Sequence, residues 1–198
     1  MIKTILFDLD GTLLNTIDDL ADAANWVCAQ HGWPTFPVET YKHFVGNGIP
    51  KLVERFSPED ARSQEQLAAT LAQFSARYDA HKEDKTAPYP GIPELLEQLQ
   101  EKGMILAVAS NKYQSATVKL ISHYFPHIRF TAVFGQREGV NVKPDPTVVH
   151  DILDITRISR EDVLYVGDSG VDMQTAANAG VTACGVTWGF RPRTELEE

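Results

Sequence analysis

Ile2-Lys3-Thr4-Ile5-Leu6-Phe7-Asp8-Leu9-Asp10-Gly11-Thr12 opens the chain as an apolar run that stops on two acids and a glycine. A short run of β-branched and aliphatic residues over 2–9 reads as a buried strand of a parallel sheet. The two-residue period of a strand sends Asp8 and Asp10 to one side while Leu9 points into the core. Gly11 then lets the chain turn. A plain strand followed by an Asp-Gly turn would use the same residues, so the rest of the chain has to decide between structure and chemistry.

Working outward, apolar runs at 104–110, 132–134, 163–167 and 181–186 predict four further strands. Helical patterns lie between them, including 93–102 closed by Gly103 and a segment opened by Asp145-Pro146 that runs to about 154. Alternation of this kind predicts an α/β class with a Rossmann-like parallel sheet. From 15 to 88 the pattern changes to helices alone, punctuated by Gly32-Trp33-Pro34, Gly46-Asn47-Gly48 and Ser57-Pro58. About 70 residues is too long for an ordinary crossover. The expected division is therefore an α/β core of residues 1–14 and 89–198 and an inserted all-helical cap of residues 15–88. Its hinges fall near 12–16 and 86–91, where Pro88 and Pro90 stiffen the return. Trp26, Phe44, Phe56, Phe74 and Tyr78 sit in apolar helical stripes and are expected in the core of that cap.

The second acidic segment, Val166-Gly167-Asp168-Ser169-Gly170-Val171-Asp172, also ends an apolar strand, and a helix begins there. Asp168 and Asp172 are four apart and share one face of that turn, although an acid at a helix start is also favoured as a cap. Two quieter signals are Ser110-Asn111 at the end of the run 104–110 and Lys143-Pro144 ahead of a helix. Alone, a Ser is an N-cap and a loop Lys is solvated. Together they change the reading, because an open parallel sheet gathers its strand C-termini into one crevice where ligands bind. Two carboxylates held at about 4 Å repel by ~4 kcal/mol at an effective dielectric near 20. A hard divalent cation resolves that conflict.

Composition narrows the partners. The 198 residues are 43% hydrophobic, enough for a real core, and carry a net charge of -9. No basic stripe is visible, so no nucleic-acid partner is expected. Cys28 and Cys184 are isolated, which fits neither a metal motif nor a disulfide framework, and both are expected as buried thiols. The first apolar run is too short and too soon interrupted by acid for a signal peptide or a membrane span, so a cytoplasmic protein with no membrane partner is expected.

Asp8-Leu9-Asp10-Gly11-Thr12, Ser110, Lys143-Pro144 and Gly167-Asp168-Ser169-Gly170-Val171-Asp172, in that order, resemble the four motifs of the haloacid dehalogenase-like superfamily. A helical insertion after the first motif resembles its cap subclass one. The resemblance implies an enzyme in which Asp8 takes a phosphoryl group as nucleophile and Asp10 acts as acid and then base. It implies Mg²⁺ as cofactor, held by Asp8, the Asp10 carbonyl and Asp168, with Asp172 close by. Ser110 and Lys143 would bind phosphoryl oxygens, and Thr12 and Asn111 would orient the reacting groups. The acid at position 10 departs from the dehalogenating members and from the Asp-x-Ala pattern of phosphonoacetaldehyde hydrolases.

Val45-Gly46-Asn47-Gly48, Leu52-Val53-Glu54-Arg55 and Gly185-Val186-Thr187-Trp188-Gly189 resemble the phosphoglycolate phosphatase branch. Two glycines in three residues imply a backbone that approaches something closely, making Asn47 and Gly48 substrate-binding candidates. The implied activity is hydrolysis of a small phosphorylated metabolite, with 2-phosphoglycolate first. A β-phosphoglucomutase-like phosphotransferase, a pyrophosphatase and a non-catalytic phosphate-binding module stand behind it. Relatives of this branch continue past the Trp-Gly segment into a helix and a last edge strand, so with this sequence one sheet edge is expected to be shortened. The oligomeric state is left open.

Overall fold

The computed structural model describes residues 1–197. In chain order the main elements are β1 (Thr4–Phe7), β2 (Leu14–Asn15), α1 (Ile17–His31), α2 (Val38–Phe44), α3 (Ile49–Phe56) and α4 (Gln64–His81). They continue with β3 (Ala87–Pro88), α5 (Ile92–Glu101), β4 (Ile105–Tyr113), α6 (Gln114–Tyr124), β5 (Phe130–Gln136) and α7 (Thr147–Thr156). The chain finishes through β6 (Val163–Gly167), α8 (Gly170–Ala179), β7 (Thr182–Gly185) and α9 (Arg193–Leu196). The five predicted strands are all present and form one parallel sheet in the order β5-β4-β1-β6-β7, with β1 at its centre.

Burial on both faces follows from the two-residue period. Ile5 and Phe7 of β1, with Leu106 and Val108 of β4, pack against Leu96 of α5 and Leu120 of α6. Leu6, Ala107 and Ala109 turn to the other face and meet Val149 and Ile152 of α7 and Ala176 of α8. Smaller side chains on that second face let its helices lie close, and Tyr165 fills the remaining volume. The helices α1–α4 share a separate apolar cluster built on Leu20, Val27, Tyr41, Leu52, Phe56, Phe74 and Tyr78. One residue from beyond β7, Phe190, also enters that cluster.

The sequence predicts no strand between 15 and 88, and here the structure corrects it. Leu14 pairs with Pro88 and Asn15 with Ala87, so the chain leaves and re-enters the sheet region as a two-stranded antiparallel ribbon. Runs of two residues carry no periodic signal. The ribbon is anchored by Asp19 of α1, whose buried carboxylate accepts from the backbone N–H of Lys85 (3.0 Å) and Thr86 (2.8 Å) and from the Thr86 hydroxyl (2.8 Å). Two expectations about burial also fail. Cys184 is exposed, because β7 is an edge strand. Trp26 is 39% exposed and lies under the Arg77 guanidinium, 5.3 Å away, because α1 turns that face to solvent.

Removing the Asp19 carboxylate strands the N–H of Lys85 and the buried N–H and hydroxyl of Thr86. Asp19→Ala is expected to cost about 2–3 kcal/mol in urea unfolding. A loss under about 0.5 kcal/mol would show that the ribbon is held without it.

Candidate active site

β1 sits between β4 and β6, so the strands that carry the predicted acids and serine open into one crevice, and the loop after β5 brings Lys143 to it. Asp8 continues the β1 ladder through its N–H to the Val166 carbonyl (2.9 Å). The chain then folds tightly on itself: the Leu9 carbonyl accepts from Thr12, Leu13 and Leu14, and Gly11 takes φ +86°. That glycine is obligatory for a second reason. A Cβ at position 11 would lie 2.2 Å from Asp168 Oδ2.

Asp8, Asp168 and Asp172 each offer a carboxylate oxygen, all within 4.8 Å of one another, and all three residues are buried. Burial is the main reason the Asp8 carboxyl is pushed up to about 7, with the charges of Asp172 and Asp10 adding to it and Lys143 opposing. Burial likewise holds Asp168 well above the usual carboxylate range, with Asp172 and Asp8 adding to it; the Phe190 N–H, which donates to Asp168 Oδ2 at 2.7 Å, works the other way. Asp8 Oδ1 has no aligned hydrogen-bond donor although it is buried. Crowded, dry oxygens with an orphaned acceptor among them fit a hard divalent cation.

Lys143 is buried at the base of this cluster. Its ammonium donates to Asp172 Oδ1 (2.7 Å) and to the Tyr165 hydroxyl (3.0 Å), and lies 3.0 Å from Asp8 Oδ1, off the direction that a hydrogen bond requires. Burial works against its charge, but Asp172 and Asp8 outweigh it and keep the ammonium firmly protonated. One N–H thus remains for an incoming oxygen. Asp172 serves two ends at once: Oδ2 accepts from the N–H (3.1 Å) and hydroxyl (2.6 Å) of Ser169 as the cap of α8, and Oδ1 takes Lys143.

The remaining predicted residues divide. Ser110 lines the pocket beside Asp8, and its hydroxyl accepts from Lys112 N (3.2 Å). Asp10 lines it too, but its side chain turns from the carboxylate trio toward Thr16 (2.6 Å) and Lys112 (2.9 Å). Gly48 forms part of the wall at φ +84°, where a Cβ would approach the Asn111 carbonyl to 3.6 Å. Asn111 spends its amide on backbone, accepting from Lys143 N (2.8 Å) and donating to the carbonyls of Lys143 and Gly46 (3.0 Å each). It joins the lysine loop to the Gly46 turn rather than offering donors to a ligand. Asn47 is not brought to the site: its amide oxygen faces outward to Arg55 (2.9 Å). Thr12 is fully buried, with its carbonyl accepting from Trp188 Nε1 (3.1 Å).

Sequence reasoning missed several participants. Lys112 is two residues beyond Ser110, so the strand period alone could have placed it on the same side. Tyr165 is the single phenol in an otherwise aliphatic strand. Arg191, after β7, lines the pocket and donates to the carbonyls of Lys42, His43 (3.3 Å) and Val45 (2.9 Å) at the end of α2, while its Nε pairs with Glu195 (3.3 Å). No sequence signal announces that contact.

The family model of the haloacid dehalogenase-like hydrolases matches residues 5–186, which runs from the second residue of β1 to just past the end of β7. The chain belongs to the haloacid dehalogenase-like hydrolase family. A phosphoglycolate phosphatase of Aliivibrio fischeri is 34% identical over 195 residues, covering 96% of this chain and 86% of its own length. One from Pseudomonas syringae pv. tomato is 33% identical over 199 residues, covering 99% and 73%. A crystal structure from Lactobacillus delbrueckii subsp. bulgaricus, provisionally named as a phosphoglycolate phosphatase, superposes with a TM-score of 0.90 at 34% identity, covering 98% of this chain and 90% of that one.

Asp168 is fixed between Gly11 and Gly189, and a Cβ on Gly189 would fall 2.3 Å from Asp168 Cβ. Gly189→Ala is therefore expected to cost about 2–3 kcal/mol through overpacking, seen as a melting temperature lower by roughly 5–10 °C. An unchanged melting temperature would mean that the carboxylate has room to move.

Proposed function

We propose that the protein is a Mg²⁺-dependent phosphatase that hydrolyses a small phosphate monoester through an aspartyl-phosphate on Asp8, with 2-phosphoglycolate as substrate, and that residues 15–88 act as a cap over the site. The observation that carries this reading is Asp8 at the end of the central strand, clustered with Asp168 and Asp172 and 3.0 Å from a buried lysine. The names of the two relatives at 33–34% identity support the choice of substrate.

An Asp8 oxygen forms a bond to phosphorus as the ester P–O bond breaks, and Asp10 delivers a proton to the departing oxygen. The same Asp10, now a carboxylate, takes a proton from water as it attacks the phosphorus of the aspartyl-phosphate. Phosphate leaves and Asp8 is restored. Thr16 and Lys112 hold the Asp10 side chain beside the nucleophile for both steps. Lys143 and Ser110 bind phosphoryl oxygens, so that charge developing there meets fixed donors in a site sheltered from water. Asp8 and Asp168, with the Asp10 carbonyl and with Asp172 behind them, would hold Mg²⁺. When bound, the ion offsets the surplus carboxylate charge and polarises a phosphoryl oxygen.

Phosphate release from 2-phosphoglycolate, sugar phosphates and pyrophosphate, each with Mg²⁺ and with EDTA, tests the activity. A Mg²⁺-dependent preference for 2-phosphoglycolate is expected. Transfer of phosphate to a sugar hydroxyl faster than to water would replace the phosphatase reading with a mutase. Asp8→Asn is expected to lower turnover at least ~10³-fold with the fold intact, and appreciable residual turnover would move the nucleophile elsewhere.

A second prediction needs no substrate. Asp8 is raised from 3.8 to about 7, so its contribution to the stability of the metal-free protein is complete below about pH 4 and is lost as pH rises through 7. Mg²⁺ competes with the proton at low pH and relieves an unfavourable charge at high pH. The rise in melting temperature on adding Mg²⁺ should therefore be larger at pH 8 than at pH 5.5. An equal rise at both would argue against Asp8 as a ligand.

A further inference from the structure

Among the described residues three cations reach the crevice, and two of them are already committed. Lys143 serves the nucleophile end through Asp172, Tyr165 and Asp8. Arg191 spends its guanidinium on the carbonyls of Lys42, His43 and Val45 and on Glu195. Lys112 is different. Its side chain is 1% exposed, and its ammonium faces one carboxylate, Asp10, at 2.9 and 3.3 Å, with the ring of Tyr78 from α4 centred 4.6 Å away. A lysine ammonium carries three N–H donors, and a single carboxylate with an aromatic face does not exhaust them.

The position of Lys112 is set by chemistry as well as by packing. To donate a proton to the leaving oxygen, Asp10 must come within hydrogen-bond reach of it. In a two-carbon acid phosphate the carboxylate is attached one carbon beyond that oxygen. It would then lie beside Asp10, and as Asp10 gives up its proton two negative groups come to face each other and repel unless a cation sits between them. Lys112, which lines the same pocket as Asp8 and Ser110 and holds its ammonium 2.9 Å from Asp10, can supply that cation. Removing it leaves the Asp10 carboxylate facing the substrate's own.

We propose that Lys112 is the specificity-determining residue of this enzyme, selecting esters with a carboxylate one carbon from the phosphoester oxygen by bridging that carboxylate and Asp10. The inference rests on the phosphatase reading above and goes beyond it in assigning the non-reacting end of the substrate. A substrate with a neutral tail can dock without Lys112 but gains nothing from it.

The test compares 2-phosphoglycolate with its isosteric amide, 2-phosphoglycolamide, in the full-length Mg²⁺-loaded protein and in Lys112→Met and Lys112→Arg. In the wild type, kcat/KM is expected to favour the acid by at least ~30-fold, the range of a charge-assisted hydrogen bond. Lys112→Met should bring the ratio below about 3, whatever its effect on the amide, while Lys112→Arg, which keeps the charge, should hold it above about 10. Equal losses on acid and amide in Lys112→Met would overturn the inference and leave Lys112 as a support for Asp10 alone, with the substrate reading intact. A wild type that turns over phosphate esters without preferring the acid would overturn both. If Lys112→Met does not fold, Asp10→Asn and Asp10→Asn/Lys112→Met replace the pair, since no buried carboxylate is then orphaned. The ratio of dissociation constants for the two esters, measured by calorimetry, becomes the readout: it should collapse in the double variant, and an unchanged ratio would overturn the inference.

Discussion

Four carboxylates, those of Asp8, Asp10, Asp168 and Asp172, meet two lysines in a space from which water is largely excluded. Formal charge there is negative by two, and much of the local architecture answers to that imbalance. Lys143 neutralises the base of the cluster, Lys112 its far side, and a divalent ion would complete the balance. The carboxylates can be brought this close only because three strand ends converge on them and glycines leave the room. Gly11, Gly167 and Gly189 each stand where a Cβ would collide with Asp168 or Asp172.

That electrostatic centre also joins the two layers of the molecule. Phe190 donates its N–H to Asp168 while its side chain packs into the apolar cluster of α1–α4. Arg191 next to it grips the carbonyls that end α2, an arrangement favoured by the negative end of a helix. Asn111 does the same from another side, joining the lysine loop to Gly46. The groups that surround Asp8 are thus tied to the helices α1–α4 by backbone contacts as well as by side chains.

The sheet and the acid cluster were legible in the sequence because they rest on periodic apolar runs that end in charged residues. Asp8, Ser110, Lys143 and Asp168 each follow such a run or open a helix, and the parallel topology does the rest. Asp172 was open to two readings in the sequence, as a helix cap and as part of the acid cluster, and it both caps α8 through Ser169 and lies with Asp8 and Asp168. What sequence could not supply was side-chain direction within turns. Asn47 and Gly48 are neighbours, yet one faces Arg55 and the other the pocket. Lys112 was half legible: the strand period puts it on the side of Ser110, but a lysine in sequence reads as solvated, and only the fold buries it against Asp10 and Tyr78. The β2–β3 ribbon is too short to have a period at all.

That ribbon has a consequence for how such a protein can vary. Because Leu14 and Asn15 lie hydrogen-bonded beside Pro88 and Ala87, the sheet meets the helical segment as a closed loop whose two ends are already adjacent. The entropy of closing a loop grows only slowly with its length. Helices can therefore be lengthened, shortened or exchanged between those ends without pulling on β1, and Asp8 just past the end of β1 keeps its place. The acid cluster at the strand ends and the helices carried on the ribbon can thus diverge at different rates.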